Sequence, residues 1–244
     1  MLDAVSEAWS LLRSHPLRWI GVIVLFLVAV EALMFIPYVG FVLKLAVASV
    51  LSAHVLGLFA RAAVGEPPNP LSLFSAFAMP SVQMATLVIA TLLPFAIGVL
   101  YLELKAGPAS IEFFFGNILK VKPPPIELFV QFKYVLQLVG LPFMFVAGAV
   151  VLKGLSGAAA FATALSGAAT NWLPILLFGM FAVAFEWLSG ELPQFLPGLA
   201  AVLVSVALLF TVLALSFAFT YTISARALGA QASTNVASQE TPTK

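Results

Sequence analysis

Long apolar runs alternate with short polar or Pro- and Gly-containing breaks along the whole chain. A helix needs about 20 mostly apolar residues to cross a bilayer, and six segments meet that measure: about 17–36, 39–60, 82–104, 132–152, 172–188 and 198–223. The first two are joined by Ile36-Pro37-Tyr38-Val39-Gly40, too short a link for anything but a tight hairpin. Pro94 and Pro142 lie inside the third and fourth segments, where proline removes a backbone donor and predicts a kink.

Three shorter stretches show the helical period instead of continuous apolarity. Residues 1–14 place Leu2, Val5, Trp9 and Leu12 opposite Asp3, Glu7, Ser10 and Arg13, the pattern of a helix lying on a membrane surface. After Gly65-Glu66-Pro67-Pro68, Asn69 is placed to cap a short helix that opens on Pro70 and presents Leu71, Phe74 and Phe77. The clearest amphipathic repeat is Ile111, Phe114, Phe115, Ile118 and Leu119, at i, i+3, i+4, i+7 and i+8. It predicts an interfacial helix over about 110–121, closed by Pro123-Pro124-Pro125. The expected fold is therefore all-α and polytopic, one transmembrane domain over 1–228 with about six spans and two to four interfacial helices. A disordered tail over 229–244 is expected from its small polar residues.

Composition narrows the solvent. Of 244 residues, 62% are hydrophobic and 9% charged, against about 45–50% and about 25% in a soluble domain. A water-facing surface is excluded, and so is a chain disordered throughout. With no cysteine, disulfides, thiolate metal sites and cysteine nucleophiles are excluded too. The net charge of +1 gives no reason to expect nucleic acid. The run behind Arg13 and Arg18 is too long for a cleaved signal core and reads as a retained anchor. With six spans, one side collects Arg13, Arg18, Arg61, Lys153, Arg226 and Lys244, and the other Lys105, Lys120, Lys122 and Lys133. All arginines fall together, so both termini are expected in the cytoplasm, with 105–133 facing outward.

Candidate chemistry rests on charge inside the apolar segments. Glu31 and Lys44 each stand six residues from the hairpin turn, which puts them at nearly equal depth, about 9 Å from it at 1.5 Å per residue. Such a membrane-buried pair is a structural clasp, the preferred reading, or an ion or proton site. His54, on the second span, is a candidate polar relay, though a lone histidine is more often satisfied by a neighbouring carbonyl. Glu103, Lys105, Lys153 and Glu186 fall near span ends, where they reach water. Neither a metal-ligand spacing nor a nucleophile motif or phosphate loop is present. No catalysis, metal or cofactor is expected.

The stretch Trp9-Ser10-Leu11-Leu12-Arg13-Ser14-His15-Pro16, the Ile36–Gly40 turn, Arg61 and Leu73-Phe74-Ser75-Ala76-Phe77 together resemble the YciC-like proteins, a bacterial group with a domain of unknown function. Asn171-Trp172-Leu173-Pro174 and Phe219-Thr220-Tyr221 ahead of Arg226 extend the resemblance over nearly the whole chain. It implies six helices in the bacterial cytoplasmic membrane and no activity. One departure is that residues 154–170 carry no basic group, where that family usually does. The expected function is that of a non-catalytic structural, accessory or partner-binding membrane protein. Its partners are lipid and another membrane subunit or a second copy, which the small residues Ala147-Gly148-Ala149 would let approach. The alternative is a small transporter or channel using Glu31, Lys44 and His54.

Overall fold

The computed structural model describes residues 2–108, 112–116, 125–191 and 195–229. The protein is all-α, and no strand occurs among those residues. Its helices are α1 (Leu2–Ser14), α2 (Pro16–Glu31), α3 (Gly40–Ala63), α4 (Ser81–Ala106), the single turn α5 (Glu112–Phe115), α6 (Ile126–Gly140), α7 (Met144–Lys153), α8 (Gly157–Thr170), α9 (Trp172–Glu191) and α10 (Gly198–Ala227). Five segments are long and apolar enough to cross a membrane: Pro16–Phe35, Gly40–Ala63, Ser81–Ala106, Ile126–Lys153 and Gly198–Ala227. The bent pair α8–α9 supplies a sixth if it crosses as one unit.

Local chemistry sets the joints. Pro16 opens α2 at a position whose N–H would be unsatisfied anyway. The helix tightens to a 3-10 turn at Ala32–Phe35 before Pro37 ends it. Tyr38 then takes the left-handed conformation (φ 67°), and Gly40 packs so closely on the Leu33 carbonyl that a side chain there would collide with it. The two prolines behave differently. α4 continues through Pro94, whereas Pro142 sits in a 3-10 break at Leu141–Phe143 that separates α6 from α7. Gly140 immediately before it weakens the helix on the same turn.

The helix expected over 172–188 is α9, and the shorter α8 before it meets it at a sharp angle. Between α8 and α9 the axis turns by 84° at Asn171, whose side-chain amide donates to the Gly167 carbonyl at 2.9 Å. Contacts at either end fix the chain's path. Gln83, near the start of α4, donates to the Gly154 carbonyl just after α7 (3.2 Å), and the Gly157 N–H donates to Thr86 (2.8 Å). The last turn of α10 meets α1, where Arg226 bonds Glu7 at 2.8 Å. α7 thus ends and α10 ends on the same face, so α8 and α9 together carry the chain to the other one. That shared face holds Arg13, Arg18, Arg61, Lys153 and Arg226, and is called the basic face below.

Three apolar clusters fill the bundle. On the basic side Trp19 stacks on Phe59 with ring centres 3.9 Å apart, and Phe59 faces Tyr221 at 6.1 Å. A second cluster joins α7, α8 and the end of α10 through Phe145, Ala160, Ala164 and Phe219. The third, at the far end, is aromatic: Phe95, Phe114 and Phe132 with Phe41, Phe113 and Phe129 around them.

Two surface helices turn larger apolar side chains outward and small ones inward. In α1 the buried residues are Ala4, Ala8 and Leu12, packed against α10, while Val5 and Trp9 are exposed. The Pro70–Ala78 helix is a 3-10 helix that buries Leu73 and Ala76 and leaves Leu71, Phe74 and Phe77 outward. Both choices have one cause. Beside lipid, large side chains lose little by facing out, and small ones let backbones approach.

Candidate functional sites

Glu31 is the last residue of α2 and Lys44 lies in the second turn of α3. The tight hairpin sets them side by side, with Lys44 Nζ donating to both carboxylate oxygens at 2.7 and 2.8 Å. One ammonium thus answers the whole carboxylate. Within the protein's own packing the Lys44 side chain is 24% exposed and that of Glu31 54%. The pair sits on the flank of the bundle, where the alternative to pairing is a lone charge beside hydrocarbon. Its geometry suits a clasp between α2 and α3.

His54 stands ten residues further along α3, about 15 Å from Lys44 at helical rise. Its Nε2 lies 3.4 Å from the Ser75 hydroxyl of the 3-10 helix. That hydroxyl already donates to the Ser72 carbonyl at 2.7 Å. The Ser49 hydroxyl, between Lys44 and His54 in sequence, is spent on the Ala46 carbonyl. The described contacts therefore do not link His54 to the Glu31–Lys44 pair.

Of the five positions expected to form an interfacial helix, Ile111, Ile118 and Leu119 lie outside the described residues, as does most of the expected tail. Phe114 and Phe115 are described and part ways. Phe115 is 44% exposed, while Phe114 is buried among Phe41, Phe95 and Phe132, with ring centres 4.9, 5.5 and 4.9 Å away. Phe114 is a wedge in the far end of the bundle. Edge contacts with the Phe41 and Phe95 rings and a tilted contact with Phe132 hold it there.

Several cross-links escaped the sequence pattern. Thr86 and Thr222 are buried polar groups, with Thr222 reaching the Ala4 carbonyl at 3.5 Å. Tyr101 donates to Gln131 at 2.8 Å and ties α4 to α6. Gly148 lets α7 approach α10 so closely that a Cβ there would lie 2.7 Å from that of Ser224. Among these, only Gly148 carried a signal, as part of a run of small residues.

Among the described residues, cavities open between helices. One, about 600 Å³, lies between α1–α2 and α10. A second, about 420 Å³, lies where α6, α8 and α9 meet, and a third of about 90 Å³ lies against α1, α9 and α10. Glu31, Lys44 and His54 line none of the three. Among the described residues, no group of three His, Asp or Glu side chains is arranged to hold a metal. Compared with protein-family models, curated proteins and solved structures, the chain matches none of them.

Proposed function

We propose that this is a non-catalytic accessory protein of the bacterial cytoplasmic membrane that docks a partner helix, from another subunit or a second copy, along α10. The carrying observation is the state of that helix. From Gly198 to Ser216 none of its residues is buried, and every buried one falls between Phe217 and Ser224. Leu199, Val202, Leu203, Val206 and Leu209 recur at helical spacing on the exposed part, a ridge fitted to helix–helix packing. The transporter alternative needs polar groups along a path, and the cavities avoid Glu31, Lys44 and His54.

Both termini are placed in the cytoplasm within this reading. The arginines Arg13, Arg18, Arg61 and Arg226 share the basic face, which the positive-inside rule assigns to that side. We keep the grouping with the YciC-like proteins as part of the proposal, on the motifs quoted above.

Purification of the tagged protein in mild detergent tests the reading. A stoichiometric membrane partner or a dimer should elute, and Val202→Trp/Val206→Trp should release it while the protein stays monodisperse. A lone monomer from membranes, unaffected by these substitutions, overturns the proposal. Reporter fusions that place either end outside the cytoplasm overturn the orientation.

A further inference from the structure

The cavity between α1–α2 and α10 is not covered by any described part of the chain, and its chemistry is specific. Two helices leaving the basic face form its walls, with Ile20 and Ile23 on α2 and Ala207, Phe210 and Ala214 on α10. Because α2 begins at that face and α10 ends there, the groove runs from the membrane surface inward. Along α10 the stretch Leu215 to Ala207 covers about 12 Å at helical rise. Ile20 is 49% exposed, so the groove is open sideways to the bilayer.

The polar atoms on the walls are already used. The Thr211 hydroxyl donates to the Ala207 carbonyl at 2.8 Å, and the Trp19 indole N–H donates to the Leu11 carbonyl at 3.0 Å. One group is left over. Arg13, at the surface end beside Trp9, lines the groove and forms no hydrogen bond or ion pair among the described residues. A dry trough ending in a single unpaired cation, flanked by an interfacial indole, is complementary to an amphiphile with an apolar tail and an anionic head.

We propose that the groove between α2 and α10 holds one acyl chain of an anionic phospholipid from the leaflet at the basic face, with Arg13 bound to its phosphate. The volume of about 600 Å³ falls within the about 300–1,000 Å³ of small-molecule sites. Basic groups between spanning helices at the membrane surface are where anionic headgroups are held. The chain beyond Gly229 is a poor filler, since Val236 is its single large aliphatic residue.

Native mass spectrometry of the full-length protein, with phosphatidylglycerol or phosphatidylethanolamine of equal chain length added, tests this. The wild type should retain one phospholipid and prefer phosphatidylglycerol. Arg13→Gln should reduce that preference about fivefold, the size of one cation's effect near an anionic surface, and leave phosphatidylethanolamine binding unchanged. Arg61→Gln, on the same face but outside the groove, should change nothing. Ala214→Phe should fill the trough and lower retention of both lipids, and monodisperse elution certifies that it is folded. Equal retention of both lipids by the wild type overturns the proposal, as does an equal effect of Arg61→Gln. So does displacement by glycerol 3-phosphate at matched concentration, which would mark a plain phosphate site, or a dimer in place of the lipid adduct.

Discussion

The two parts of α10 share one helix, yet they live differently. From Phe217 to Ser224 the helix is locked: Phe217 meets Phe26 edge-on at 5.2 Å, Ser224 lies against Gly148, and Ala4 and Ala8 of α1 close over it. From Gly198 to Ser216 no residue is fully buried, and the ridge of Leu199, Val202, Leu203, Val206 and Leu209 is exposed. Hydrophobicity cannot be the cause, because lipid tails satisfy a leucine as well as a neighbouring helix does. What distinguishes the locked part is shape and polar linkage. Glycine and alanine on the facing helices allow close approach, Thr222 reaches a backbone carbonyl, and the Arg226–Glu7 pair pins the end. In this protein packing follows small residues and hydrogen bonds, and the greasiest surface is the least packed.

The far-end aromatic cluster extends that contrast, because there rings replace small residues as the packing device. Phe114→Ala removes the ring from its three partners and should give the largest loss, about 3–5 kcal/mol for a buried phenylalanine. Phe115→Ala, its exposed neighbour, should stay within about 0.5 kcal/mol. Thermal unfolding in nanodiscs reads both, and equal losses would mean that Phe114 is not the wedge described.

Next in size is a test at the locked part of α10 itself. Gly148→Val drives a methyl group into Ser224 and should destabilise by about 1–3 kcal/mol, the range for overpacking. Leu203→Ala, which removes far more apolar volume from the open part, should cost within about 0.5 kcal/mol. If the leucine substitution cost more than the glycine one, burial area and not close approach would govern α10.

The smallest effect belongs to the flank pair. Glu31→Ala strands Lys44 beside the bilayer and should cost about 1 kcal/mol. That lies between the about 0–1 kcal/mol of a water-exposed pair and the about 2.5–3.5 kcal/mol of a charge at mid-bilayer. Glu31→Ala/Lys44→Ala should recover part of the loss. Equal losses in the single and double variants would show that the two charges act independently.

The Glu31–Lys44 contact was legible in advance because a tight hairpin gives two residues equidistant from its turn the same depth. The long spans were legible for the same kind of reason, since length and apolarity are properties of each segment alone. Which residues meet the protein was not. On α1 the apolar pattern marked Leu2, Val5, Trp9 and Leu12 for the membrane surface; Val5 and Trp9 do face outward, while Leu12 joins Ala4 and Ala8 against the protein. On the 3-10 helix Leu71, Phe74 and Phe77 face outward, and Leu73 and Ala76 make the contact. In water the apolar side is the buried side. Beside lipid both environments are apolar, so the hydrophobic pattern no longer tells core from surface.

By itself the chain determined that it is helical, that it belongs to a bilayer, where it turns, and that its arginines gather on one face. These follow from the cost of exposing apolar surface to water and of leaving backbone groups unpaired in hydrocarbon. Only the tertiary structure decided the 84° angle at Asn171, the burial of Phe114, the division of α10 and the open groove that ends at Arg13. Each depends on how closely two particular surfaces fit, and that fit is settled only when residues distant in sequence meet.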